Sequence, residues 1–162
     1  MAATIVIRGC TSENAGTEAT ITALMFRAND SVEVDKNNPI TIPAAGQVYS
    51  YEKWIRWMCT VAPDTQCTNF KFWGANSIPD TGLTVYDGTT DTGVTPVTTQ
   101  SAVATTQQDT NHYSSATALA IAGTLTTEND ETDYLVLQLK VADTAGQGDI
   151  PQQTFNFSYD EN

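Results

Sequence analysis

The stretch YSYEKWIRWMCTVAPDTQCTNFKFW (Tyr49–Trp73) decides the fold. It holds all three tryptophans (Trp54, Trp57, Trp73), together with Phe70, Phe72, Cys59 and Cys67. Aromatic and β-branched residues on either side of Pro63-Asp64 predict two strands, Glu52–Val61 and Cys67–Trp73, joined as a hairpin. In the first, Ile55, Trp57 and Cys59 share a face opposite Trp54, Arg56 and Met58. In the second, Phe70 and Phe72 lie opposite Asn69 and Lys71, which belong in water, so the phenylalanines mark the inward side. Large rings bury the most apolar area per residue, and the core is expected to gather around them.

Outward from this stretch the chain reads as short strands between turns. Thr4–Ile7 opens it, and Ser12–Gly16 is a loop. Thr20–Arg27, Ser31–Asp35 and Ile40–Ile42 carry strand patterns, with Lys36-Asn37-Asn38-Pro39 as a turn. Beyond Trp73, Leu83–Tyr86 is a strand ending at the turn dipeptide Asp87-Gly88. Val94–Thr106 is an extended Thr/Ala/Val segment, and Gln107–Ser115 is an exposed loop. Ala116–Thr126 fits a short helix or a strand, since length does not decide between them. The clearest strand is Tyr134–Val141, with Leu135, Leu137, Leu139 and Val141 on one face. Gln153–Tyr159 alternates strictly, Phe155, Phe157 and Tyr159 against Thr154, Asn156 and Ser158. Strands at regular spacing with few helical patterns predict an all-β protein, a single antiparallel β-sandwich of jelly-roll or Ig-like type. Residues 1–12 form an N-terminal arm or first strand, and residues 13–162 the sandwich. The expected core is Ile55, Trp57, Phe70, Phe72, Leu135, Leu137, Leu139, Phe155 and Phe157.

Nineteen acids against seven bases give a formal charge of −12. Such a surface repels phosphate backbones, which disfavours nucleic acid as a partner. It fits solubility, and also docking onto a basic partner surface. No apolar run approaches the ~20 residues of a membrane span. The first residues lack the charged and apolar regions of a secretory signal. Three cysteines (Cys10, Cys59, Cys67) are an odd count, which argues against a disulfide framework. A Cys59–Cys67 bond across the turn is geometrically conceivable, and free thiols packing as small hydrophobes are the alternative.

Catalytic chemistry is hard to assemble from these residues. His112, the sole histidine, sits in a polar loop without a glycine-flanked serine elbow. The acids of Glu128–Asp133 and of Asp160-Glu161 lie in solvated runs, where neither member of a pair has its pKa raised. Calcium is the more suitable ligand class, with Asp87, Asp91, Asp130 and Asp133 as weak candidates, but no EF-hand spacing supports it. Neither a cofactor motif nor a phosphate-cradling glycine loop is present. The tryptophans fit a core, or a sugar-stacking platform of a carbohydrate-binding module.

Four motifs together resemble a group of small β-sandwich virion proteins of tailed bacteriophages. They are a W-x-R strand (Trp54–Arg56), a K-F-W strand end (Lys71–Trp73), an L-Q-L strand (Leu137–Leu139) and, after a Gly/Pro loop, a closing S-Y-D-E (Ser158–Glu161). The match spans about half the chain, and its motifs are structural. The resemblance implies a non-enzymatic capsid decoration protein on the outside of the head, made in the host cytoplasm. It implies the major capsid protein as partner and a homo-oligomer, most simply a trimer at a local three-fold axis. On this reading the short β-branched segment Ala3, Thr4, Ile5, Val6, Ile7, Arg8 is the candidate interface, adding as a strand to a neighbour. A glycan-binding module of a fibre or secreted protein, and a tail or baseplate component, are the alternatives.

Overall fold

The computed structural model describes residues 2–11, 17–34, 36–74, 81–90, 100, 108–109, 114–150 and 152–162. Ten strands follow in order: β1 (Thr4–Thr11), β2 (Thr17–Thr20), β3 (Gln47–Tyr49), β4 (Lys53–Val61), β5 (Cys67–Gly74), β6 (Leu83–Thr90), β7 (Gln108–Asp109), β8 (Leu119–Ile121), β9 (Tyr134–Ala142) and β10 (Phe155–Glu161). No helix occurs among the described residues. A seven-stranded sheet runs β2-β1-β4-β9-β6-β7, with β3 also on β9, and a three-stranded sheet runs β10-β5-β8. All pairings are antiparallel. The protein is an all-β sandwich.

The expected hairpin does not form. β4 pairs with β1 and β9 in the large sheet, whereas β5 pairs with β10 and β8 in the small one. The Pro63-Asp64 turn therefore carries the chain from one layer to the other. The physical reason lies in the faces: Ile55, Trp57 and Cys59 on one side and Phe70 and Phe72 on the other all need apolar cover. Stacking the two strands buries both rows against each other, which pairing them edge to edge would not do. Trp57 accordingly meets Phe70 at 6.1 Å between ring centroids and Phe157 edge-on at 5.0 Å. Phe70, Phe72, Leu135 and Leu137 lose all solvent contact. Burying each contributes on the order of 1.5–3 kcal/mol.

β3 and β4 lie end to end along one edge of β9. Tyr49 pairs with Lys140 and Lys53 with Leu137, so four positions on one strand advance against three on the other. The extra residue is absorbed at buried Ser50, whose amide donates to the Leu139 carbonyl while its hydroxyl accepts from the Leu139 amide. Past the start of β9 the loop 126–133 takes over along β4. There the Cys59 amide donates to the Asp130 carbonyl and the Thr132 amide to the Trp57 carbonyl.

The segment between β2 and β3 departs from its strand patterns. Residues 21–34 and 36–46 are irregular, yet Ile21, Leu24, Phe26, Ile40 and Ile42 still pack on the core. β4 and β9 are already bordered on both sides, and this stretch lies outside the ladders with its apolar residues acting as a plug. Gly9 is where it crosses β1, since any side chain there would press on Ile21 and Val32. The Asp87-Gly88 turn is also absent: both residues lie inside β6, in register with Leu137 and Val136 of β9. Ala116–Thr126 resolves as strand β8 plus a bridge from Leu125 to Cys67. The loop Ser12–Gly16, the segment Val94–Thr106 apart from Gln100, and His112 with Tyr113 lie outside the described residues.

Candidate docking surface

One side of the sandwich is left open by the described strands. β10 is an edge strand, hydrogen-bonded to β5, and no described segment pairs with its outer edge. Its alternation turns Phe155, Phe157 and Tyr159 inward. Phe155 and Phe157 lie 5.4 Å from Phe72, and Tyr159 stacks on Phe70 at 5.7 Å. Being at the margin, Phe155 and Phe157 stay half-buried, and Tyr159 is 37% exposed.

β1 presents the matching margin of the other sheet. β2 borders only Arg8–Thr11, followed by a bond from the Ile21 amide to the Ile7 carbonyl. Thr4–Val6 therefore have β4 on one side and no described strand on the other. The two margins are tied at one corner, where the Ala3 amide donates to Glu161 Oε1 at 2.6 Å. Val61, opposite Thr4, is 38% exposed.

The segment Ala3–Arg8, expected as the interface, is part of the large sheet from Thr4 onward. The segment is no free arm: Thr4–Arg8 is fixed along β4, Ile5 and Ile7 pack on the core, and Arg8 Nη2 donates to the Glu18 carbonyl. What this segment retains is an open edge at Thr4–Val6. The strict alternation of Phe155–Tyr159 was visible in the sequence, but its position at a margin was not, because that depends on which strands pair.

Little free positive charge faces outward, because most of the bases are engaged by partners within the chain. Arg56 Nη2 lies 2.6 Å from Glu18 Oε1 and 2.7 Å from Glu131 Oε2, and Arg8 pairs with Glu18. Arg27 and Lys53 are buried, donating to the carbonyls of Glu33 and Asn37 and of Ser31. Lys36 pairs with Asp149, and Lys140 donates to the Tyr86 hydroxyl. Only Lys71, on the outward face of β5, has no partner among the described residues. Asp160 and Glu161 stand exposed at the end of β10, each with one oxygen held locally, by Asn69 and by Ala3.

The other sequence candidates have structural surroundings. Asp87 shares the inward face of β6 with Val85 and is buried. Asp130 accepts from the amides and hydroxyls of Thr126 and Thr127, and these bonds hold its carboxyl down to about 2. Asp91 lies outside the described residues. Among the described residues no three His, Cys, Asp or Glu side chains form a group able to hold a metal ion. Trp54 and Trp57 are buried, Trp54 donating to Glu52 Oε2 and meeting Tyr134 edge-on, so neither offers a face to a sugar. Cys10, Cys59 and Cys67 are buried free thiols, and burial pushes all three up. Lys53 goes the other way: loss of water lowers it to about 8, Asp30 opposing and Arg27 reinforcing.

No family model, curated protein or solved structure matches this chain.

Proposed function

We propose that this protein is a non-enzymatic structural component that docks onto a larger assembly. The assembly is a phage capsid, with the major capsid protein as partner and the chain bound on the outside of the head as a homo-oligomer, a trimer in the simplest case. The observation that carries the docking part is the open side of the sandwich. Two strand edges from opposite sheets, β10 and the start of β1, meet at one corner of an acidic body with half-exposed rings between them. The capsid part follows from the resemblance through Trp54–Arg56, Lys71–Trp73, Leu137–Leu139 and Ser158–Glu161. A protein that binds only the assembled lattice stabilises it by the free energy of each contact made, and several copies multiply that effect.

Electron microscopy of purified particles, with this protein gold-labelled, tests the reading. Label over the head surface is the expected result; label on the tail or fibre, or none, sinks it. Sedimentation of the isolated protein tests the trimer separately.

A further inference from the structure

We propose that the outer edge of β10 is a strand-addition site for an extended, basic segment of another protein. This rests on the docking reading above and gives it a site and a partner chemistry. An edge strand leaves every second amide and carbonyl without a ladder partner, so a seven-residue strand such as β10 offers a template about 23 Å long. Strand addition satisfies those groups, and side chains of the added strand extend the rows already present. On the inner face they would continue Phe155, Phe157 and Tyr159, whose rings are half-covered at this margin. On the outer face they would lie beside Asn156, Ser158 and Asp160.

Charge selects the occupant. The strand ends in exposed Asp160 and Glu161 on a chain of net charge −12, while six of its seven bases are held by internal partners. A second copy would bring a like-charged body to the same edge. The register shift between Ser158 and Asp160, together with the two acids, is the kind of feature that discourages identical edges from pairing. A strand carrying Lys or Arg meets no such obstacle and gains steering from the field.

The test uses two synthetic nine-residue peptides, one alternating Lys and Val, the other Glu and Val, against the full chain in low salt. Backbone amide exchange is followed by NMR. With the Lys/Val peptide, alternate amides of Phe155–Glu161 that exchange freely should slow at least tenfold. The Glu/Val peptide should leave them unchanged, and the pair D160N and E161Q should weaken Lys/Val binding several-fold with unaltered melting. The proposal is overturned by protection outside β10, by equal effects of both peptides, or by β10 amides that become protected with protein concentration alone, which would identify a second copy. Head binding is scored independently. Binding to heads with β10 amides still exchanging freely removes this site but keeps the capsid reading. Peptide protection without head binding keeps the site and removes the capsid.

Discussion

Arg56 on β4 reaches across β1 to Glu18 on β2, Nη2 to Oε1 at 2.6 Å, and so fastens the edge strand of the large sheet to its centre. The same nitrogen holds Glu131, from the loop that extends the β9 pairing, at 2.7 Å. The guanidinium lies 4.6 Å over the Tyr134 ring, whose hydroxyl donates to Glu18. Glu18 retains only 6% of its side-chain exposure. Without Arg56, Glu18 keeps only the longer 3.8 Å contact with Arg8 and the Tyr134 hydroxyl, and breaking such a buried pair costs about 3–5 kcal/mol. Arg56→Ala should therefore lose about 3 kcal/mol in urea denaturation. Arg56→Lys should recover only part of it, since an ammonium cannot grip two carboxylates and lie flat on a ring together. A loss below about 1 kcal/mol for the alanine variant would show that the node contributes little.

Lys53 gives the stability an unusual alkaline dependence. Its pKa falls from 10.5 unfolded to about 8 folded, chiefly through loss of water. Between those values the unfolded chain binds more protons, so stability rises with pH. The three buried thiols and Tyr134 are shifted upward, and they reduce stability as their unfolded forms ionise, the thiols from about pH 8. The thiols offset Lys53 in the overall slope, so its contribution is read by difference: from pH 8 to 9 the wild type should gain stability relative to Lys53→Met by at most about 1.4 kcal/mol per pH unit. Lys53→Met should make the slope more negative. An unchanged slope in the variant would assign the effect elsewhere.

How much of this was legible in the sequence depends on whether a residue's role is local or topological. The inward rows Ile55–Trp57–Cys59, Phe70–Phe72 and Leu135–Leu137–Leu139 follow from period-two alternation, which strand geometry imposes whatever the partner. Partner choice is non-local. Nothing in Pro63-Asp64 distinguishes a hairpin from a passage between layers, and the difference arises because β1, far away in sequence, occupies the edge of β4 that β5 would need. Ile21, Leu24 and Phe26 show the reverse case: burial without sheet pairing, where β-branched spacing suggested a strand. β3 was missed because three residues, Gln47–Tyr49, carry too little pattern. The docking margin is a property of strand order and could not be read from β10 alone.

Acid exposes Asp130. Its carboxyl is held down to about 2 against an ordinary 3.8 by the Thr126 and Thr127 amides. A depressed carboxyl stabilises above its unfolded pKa, and that contribution is lost as pH falls from about 4 through 2. The wild type should lose stability over this range relative to Asp130→Asn, whose side chain no longer titrates. The difference between the two melting temperatures, plotted against pH, should shrink steadily below pH 4. A constant difference would exclude the loop as the source.

Core truncations should separate the buried rings from the marginal one. Phe70→Ala removes a ring with no solvent contact and should cost about 3–5 kcal/mol. Tyr159→Ala, stacked on Phe70 but 37% exposed, should cost distinctly less and leave strand content unchanged by circular dichroism. Equal losses would mean that β10 is held more firmly than its open edge implies.

Two glycines isolate the effect of crowding from that of backbone conformation. Gly46 and Gly82 both have positive φ, 79° and 84°, where an L side chain is strained by about 1–2 kcal/mol. A Cβ on Gly46 meets nothing within 4 Å, whereas on Gly82 it falls 2.7 Å from the Ala145 amide nitrogen and 3.0 Å from the Thr144 carbonyl carbon. The Gly82 carbonyl also accepts from the Ala142 amide, tying the start of β6 to the end of β9. Backbone cannot swing aside as a flexible side chain would, so Gly82→Ala should carry the conformational strain plus a displacement of the 142–145 turn. Its loss should exceed that of Gly46→Ala by at least about 1 kcal/mol in parallel denaturant titrations. Amide exchange should speed up at Ala142 and Ala145 in the Gly82 variant alone. Matching losses and matching exchange in the two variants would show that the contact with Thr144-Ala145 is not what requires glycine at position 82.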